Sequence, residues 1–339
     1  MERTMISVVC VVSALVAYFL SERLGKKLIP TLHRLKFGQV IREEGPSWHQ
    51  KKQGTPTMGG IIFIAAILIV SILAMAICQL FLPVKVVTSS ISGGTLTRLF
   101  AGWLMAIGFG IIGFLDDFIK VVKKRNLGLT SRQKLLAQIV VAGVYALAVY
   151  IGGGAHIHIP FYGFWDAGLW FIPIAVFIIV GVTNATNLTD GVDGLCASVS
   201  LVVCLFLLIL CGQFIGFGIL IATTAGALAG FLVWNFHPAR VFMGDTGSLF
   251  IGGMLCAVTF GISRPLLLLP MGVVYFAETL SVILQVWYFK RTGGKRLFKM
   301  SPLHHHFEMC GWKENKIVAV FSAITAVGCL LGLLFVIIG

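Results

Sequence analysis

The feature that most constrains this chain is a succession of apolar stretches, each close to the length a helix needs to cross a bilayer. At roughly 20 residues per span, ten candidates fall near 4–21, 58–81, 97–115, 134–152, 168–187, 195–212, 214–234, 247–263, 265–289 and 316–338. With 58% hydrophobic and 12% charged residues, the composition departs far from that of a soluble domain. In lipid a backbone can satisfy its polar groups only as a helix or a closed barrel. A barrel needs about 10-residue segments of alternating polarity. Here Leu201 to Leu210 is apolar at every position, and Ile61 to Ile77 at every position but Ser71. The expected fold is therefore all-α: a polytopic integral membrane protein of about ten transmembrane helices, organised as one domain over residues 1–339.

The distribution of Lys and Arg orients these spans, because positively charged short loops stay on the cytoplasmic side. If both termini lie outside, all 26 Lys and Arg residues fall inside except Arg3, Lys85, Arg98 and Arg264. The reverse orientation would put nearly all of them on the wrong side. The net charge of +13 is thus first a topology signal, with a second use in attracting anionic head groups and phosphorylated substrates. The first span lacks a small-residue cleavage site after a short apolar core, so it reads as a retained helix. Of the eight Cys residues, all but Cys310 lie in or beside spans and none forms a C-x-x-C pair. They read as small apolar packing groups, not metal ligands.

With that orientation, every dense polar motif lands on the cytoplasmic face: 51–60, Asp116-Asp117, Asn184 through Asp193, Asn235 through Ser248, and His304-His305-His306. Ionisable groups near membrane depth are costly and normally line a cavity or a substrate path. The outer loop 152–167 carries no matching cluster and reads as a turn and interfacial hairpin. A transporter needs access from both sides and a midplane site between repeats, whereas these acids sit at helix ends on one side.

Five acids, Asp116, Asp117, Asp190, Asp193 and Asp245, fall in or beside these motifs. Carboxylates next to phosphate-binding groups suit Mg²⁺, with Mn²⁺ as a substitute. Adjacent helical residues point about 100° apart, so Asp116 and Asp117 cannot serve one atom if the third span continues through them. One then contacts the metal or a phosphate, and the other acts as general base or nucleophile; pairing with Lys120, Lys123, Lys124 or Arg125 is the plainer alternative. Asn184, Asn187, Asp190 and Asp193 recur every three residues, neighbours along one helix side if the fifth span reaches that far. Gly191 and Gly194 favour a turn there instead. The 235–248 segment combines a carboxylate, glycines and hydroxyls ahead of a span, as phosphate or metal loops do.

His304, His305 and His306 cannot all bind one ion with good geometry. No Cys or spaced His partner supports a soft-metal site, so diphosphate hydrogen bonding is the favoured reading. Gln285 and Glu278 are polar inside an apolar stretch; Gln285 is the better site candidate, and Glu278 fits a bond between helices. Phe242, in a polar loop, is placed to stack on a base.

Taken together, KKQGTPTMGG at 51–60, GFLDDF at 113–118, NATNLTDGVDGL at 184–195, NFHPARVFMGDTGS at 235–248 and SPLHHHFE at 301–308 resemble the polyprenyl-phosphate N-acetylhexosamine-1-phosphate transferase superfamily. Within it they look like the phospho-N-acetylmuramoyl-pentapeptide-transferase branch. The resemblance implies an Mg²⁺-dependent, multi-pass enzyme of the bacterial inner membrane, active at the cytoplasmic face. It would transfer phospho-N-acetylmuramoyl-pentapeptide from UDP to undecaprenyl phosphate, giving lipid I and UMP in peptidoglycan synthesis, with membrane lipid around it and a homodimer compatible. By motif position the resemblance makes Asp116, Asp117, Asp245 and His304 catalytic and Asp245 the metal ligand. His304 and His305 would bind the diphosphate region. Lys52, Thr57, Asn187, Asp190, Asp193, Asn235, Phe242 and Gln285 would shape the nucleotide and substrate pocket. Direct attack by the lipid phosphate and a double displacement through a phospho-enzyme both fit, direct attack being favoured. An N-acetylglucosamine-phosphate transferase of the same fold, a lipid flippase and a scaffold are the rivals.

Overall fold

The computed structural model describes residues 2–34, 54–82, 86, 93–123, 128–212 and 214–338. Lys52 and the start of the 51–60 motif lie outside them. The regular secondary structure of the described residues is helical except for one small hairpin. The helices are α1 Glu2–Arg34, α2 Gly60–Phe81, α3 Gly93–Val122, α4 Ser131–Ile151, α5 Phe171–Thr189, α6 Leu195–Leu210, α7 Ile215–Asn235, α8 Gly244–Gly261, α9 Leu268–Met271, α10 Val273–Arg291, α11 Leu303–Met309 and α12 Glu314–Ile338.

Among the described residues seven helices are long and apolar enough to cross a membrane, or eight if the bent pair Pro265–Met271 and Val273–Arg291 is one span. The ten apolar stretches all fold as helices, but three differ from simple spans. The stretch at 195–212 is the 16-residue α6. The stretch at 247–263 lies in α8, whose first turn is the polar Gly244–Ser248. The stretch at 265–289 bends by 76° at Gly272, just after Pro270, whose missing N–H and ring oppose a continuous helix.

The hairpin joins β1 His156–Ile159 to β2 Gly163–Asp166, with His158 opposite Phe164. It falls in the loop read as an interfacial hairpin and holds the only strands among the described residues. Its His158 N–H donates to the Ser263 carbonyl beyond α8.

The centre of the molecule is α7 and α8. Every α8 residue from Thr246 to Gly261 is buried, and α7 is enclosed along most of its length. Their Gly, Ala, Thr and Ser content lets neighbouring backbones come close, which is how helices associate where lipid removes the hydrophobic drive between them. α1 and α2 pack on α7, and α3 and α5 on α8. The outer faces of α1, α2, α4 and α12 carry exposed Val, Leu, Ile and Phe, as lipid-facing surfaces do. This packing brings the C-terminal ends of α3 and α5 against the N-terminal end of α8, at the face assigned to the cytoplasm.

Candidate active site

Because α3 runs on to Val122, Asp116 and Asp117 both lie on helix and diverge. Asp117 turns toward α8. Its Oδ2 accepts from the Thr246 N–H at 3.0 Å and the Thr246 hydroxyl at 2.8 Å, and its Oδ1 accepts from the Asp245 N–H at 3.3 Å. The first N–H groups of a helix have no partner of their own, so a carboxylate from α3 caps α8 and answers its positive dipole end. Asp116 turns the other way. Its Oδ1 accepts the Leu129 N–H at 2.8 Å and its Oδ2 lies 2.6 Å from Lys120 Nζ, one helical turn on. Gly113 makes the approach possible: a Cβ there would stand 2.1 Å from the Asp245 carbonyl oxygen.

Asp245, in the first turn of α8, stands where these elements meet. Its Oδ2 receives two ammonium groups, Lys120 Nζ and Lys134 Nζ, each at 2.8 Å. Its Oδ1 accepts from Asn187 Nδ2 at 2.8 Å, and the same amide donates to Ser248 Oγ at 2.8 Å. Lys134 is held by the start of α4, where Thr130 and Gln133 form a reciprocal capping box. Asp116, Asp117 and Asp245 each offer a carboxylate oxygen, and these atoms lie within 4.8 Å of one another. An all-oxygen set with two lysines drawn onto it fits a hard divalent cation. Asp193, His237 and Glu314 form a second such group.

The end of α5 supplies the next layer. Asn184 and Asn187 are on the helix, Asp190 is its C-terminal cap, and 190–194 is a turn. Asn184 exchanges amide hydrogen bonds with Gln138 of α4. The Asp190 carboxyl is held well above the usual carboxylate range, by burial first and then by the charges of Asp245, Asp117 and Asp193. Asp193 Oδ2 lies 3.0 Å from His237 Nδ1 and accepts the Ala239 N–H at 3.0 Å, while the Asp193 N–H donates to Glu314.

The other expected residues divide. Thr57 is buried, and its hydroxyl and Asp117 Oδ2 flank the space a Gly244 Cβ would take. Phe242 holds this segment to its own loop through backbone bonds to Pro56 and Gly59. Asn235 is buried; its Nδ2 donates to the Val241 carbonyl at 2.9 Å and its Oδ1 has no partner. Gln285 is committed to backbone: its Oε1 accepts from Leu297 and Phe298, and its Nε2 donates to the Phe298 carbonyl. His305 Nδ1 lies 2.7 Å from Glu308 Oε2 and stays partly accessible. His304 is only 1% exposed and sits against Gly191 and Glu278.

Three contributors carry little sequence signal. Lys120 follows Asp116 by four residues, a legible helical pair. Lys134, Thr246 and the Leu129 amide reach the cluster only through tertiary packing.

Against known proteins, residues 99–262 match the family model described as glycosyl transferase family 4. Residues 52–64 match phospho-N-acetylmuramoyl-pentapeptide-transferase signature 1. A protein of that name from Clostridium perfringens is 46% identical over 330 residues, 96% of this chain and 97% of the other. One from Caldanaerobacter subterraneus is 48% identical over 306 residues, 89% and 91% of the two chains. One from Listeria monocytogenes is 42% identical over 349 residues, 98% and 99%.

Proposed function

The chain belongs to the phospho-N-acetylmuramoyl-pentapeptide-transferase family, and from that premise we propose that it transfers phospho-N-acetylmuramoyl-pentapeptide from UDP to undecaprenyl phosphate, yielding lipid I and UMP. The observation that carries the site reading is the convergence of Asp116, Asp117 and Asp245 with Lys120 and Lys134 at the polar ends of α3, α4 and α8. The setting is the bacterial inner membrane, with the site at the cytoplasmic face, residues 1–339 acting as one catalytic domain, and a homodimer compatible with the apolar outer faces.

In this reading an oxygen of the lipid phosphate attacks the sugar-linked phosphorus of the donor. The new P–O bond forms as the bond to the UMP phosphate breaks, and UMP leaves with the electron pair. Asp245, with Asp116 and Asp117 beside it, would hold Mg²⁺, which would supply charge neutralisation when bound. Lys120 and Lys134 are ammonium groups within reach of Asp245 and suit the phosphate oxygens on which charge develops. Both Asp117 oxygens accept from the first turn of α8, so Asp117 holds the metal ligand in place. Asp116, whose Oδ2 pairs with the Lys120 ammonium instead of a helix terminus, is the acid assigned to orient or deprotonate the lipid phosphate. Direct displacement is favoured over a phospho-enzyme because the acceptor is already an anion and the site supplies positioning and charge. Lys52, Thr57, Asn187, Asp190, Asp193, Asn235, Phe242, Gln285 and His305 then shape the donor pocket, with His305 the accessible histidine for the diphosphate.

The test is UMP release by purified protein in detergent with undecaprenyl phosphate. UDP-N-acetylmuramoyl-pentapeptide is compared with UDP-N-acetylglucosamine, with and without Mg²⁺ and with Asp245→Asn. Expected is Mg²⁺-dependent turnover of the muramoyl donor alone, reduced by at least about 10²-fold in the variant. Turnover of only the glucosamine donor would refute the donor assignment.

A further inference from the structure

His304 is the least accessible of the three consecutive histidines. Its ring is 1% exposed, and Glu278, on α10, is fully buried beside it. The His304 N–H donates to both Glu278 oxygens, at 3.2 and 3.4 Å. His304 Nδ1 lies 3.1 Å from Glu278 Oε1 but is not aligned as a hydrogen bond. The other ring nitrogen, Nε2, has no hydrogen-bond partner and is aimed at the α5–α6 turn. A Cβ on Gly191 would stand 2.1 Å from it. The backbone of Gly191 is not in the left-handed region that favours glycine, so what requires glycine there is the histidine ring.

Gly191 lies between Asp190, the C-terminal cap of α5, and Asp193, which ties the turn to His237, Ala239 and Glu314. A buried polar pair on α10 and α11 therefore presses on the turn that carries two acids of the proposed site. Buried polar groups need partners, and Glu278 is otherwise a costly residue at membrane depth. Its position is explained by holding the backbone of His304. His305 stacks edge-on at 4.2 Å between ring centroids, so the same pair also sets the histidine that remains accessible.

We propose that Glu278 and His304 are a positioning pair for the donor pocket: Glu278 fixes His304, and the His304 ring fixes the α5–α6 turn by contact with Gly191. This rests on the donor assignment above; it adds Glu278, and it gives His304, which the resemblance makes catalytic, a positioning role without contact to substrate.

The test is a double-mutant cycle between Gly191→Ala and His304→Ala, with Glu278→Gln alongside, in full-length protein. Melting temperature in detergent, KM for the UDP-sugar donor, KM for undecaprenyl phosphate and kcat are measured. Gly191→Ala forces the turn off the ring and is expected to lower donor kcat/KM by on the order of 10²-fold, as a misplacement of about 1 Å does. Removing the ring makes room for the added methyl. The double variant is then expected to match His304→Ala, in both melting temperature and donor kinetics, instead of falling below Gly191→Ala. Glu278→Gln is expected to raise donor KM while leaving acceptor KM unchanged. Should Gly191→Ala not yield folded protein, recovery of folded protein in the double variant reads the same coupling. Additive losses in the cycle, or a donor KM unmoved by Glu278→Gln, would overturn the proposal. If the wild-type chain does not turn over the muramoyl donor, the functional reading fails by itself, and the melting-temperature cycle still decides the contact.

Discussion

Gly113→Ala places a methyl group between the two helices that build the carboxylate cluster. The added Cβ would stand 2.1 Å from the Asp245 carbonyl oxygen, 2.4 Å from its carbon and 2.6 Å from the Thr246 nitrogen. Close carbon–oxygen contacts in proteins begin near about 3.3 Å, so α3 and α8 must part by about 1 Å. All three obstructing atoms are backbone, which cannot turn aside as a side chain would. The same separation would stretch the Asp117 bonds to Thr246, now 2.8 and 3.0 Å, to nearly 4 Å, beyond hydrogen-bonding range. Overpacking of this kind costs about 1–3 kcal/mol of stability, and a displacement of that size in a reacting constellation costs on the order of 10²-fold in rate. The assay is kcat/KM for UMP release in detergent together with thermal melting. Gly143→Ala serves as the control, since nothing lies within 4 Å of its Cβ position. A Gly113→Ala protein within about threefold of wild-type activity would show that cap geometry at the α3–α8 contact does not set the rate.

Two further outcomes follow from the charges around Asp245. Lys134→Met removes one of the two ammonium groups on its Oδ2, leaving more uncompensated negative charge for a cation. The half-saturating Mg²⁺ concentration, read by thermal shift, is expected to fall by roughly tenfold; an unchanged or higher value would mean that Lys134 does not compete with the cation. The raised Asp190 carboxyl gives a signed pH effect. Its folded value lies above its unfolded one, near about 3.9, so its stabilising contribution is complete below the unfolded pKa and disappears as pH rises through the folded one. In metal-free buffer Asp190→Asn is therefore expected to melt above wild type at neutral pH and to converge with it below about pH 4. Curves that coincide at neutral pH and separate in acid would reverse the sign and refute the reading.

Much of this site is legible in the sequence because it is built at helix ends, where polar runs interrupt long apolar stretches. The motifs around Asp116, Asn187 and Asp245 can be assigned to one face from hydropathy and Lys/Arg placement alone, and that face is where they meet. The continuation of α3 through Asp117 also follows from helical geometry once the span is allowed to exceed the bilayer. What the sequence hides is whatever depends on distance across the fold. Lys134 reads as the first residue of a span, and only the angle between α3 and α4 brings its ammonium to Asp245. Gln285 reads as a pocket residue because it is polar in an apolar run, but its partners, the backbone amides of Leu297 and Phe298, are not visible in the sequence. The break at Gly272 is hidden because hydropathy averages over it, while Pro270 is the local signal that marks it.

The arrangement of the acids also bears on why they survive so near the membrane. An isolated carboxylate there would be driven to protonate, and Asp190, buried beside the charges of Asp245, Asp117 and Asp193, shows that tendency. Asp116 and Asp245 share Lys120, whose ammonium stands between them, 2.6 Å from one and 2.8 Å from the other. Asp117 is held chiefly by the N–H groups of α8, with the Lys120 ammonium farther off at 3.7 Å. The three acids are thus held by two kinds of partner, one a side chain and one a helix terminus. A side chain can leave an oxygen when a cation or phosphate arrives, whereas a helix terminus cannot. That difference makes Asp116 and Asp245 the acids open to exchange of partners during a reaction and Asp117 the acid that keeps their framework in register. Asp117→Asn should accordingly disturb the relation of α3 to α8 more than the charge of the site, and Asp245→Asn the reverse.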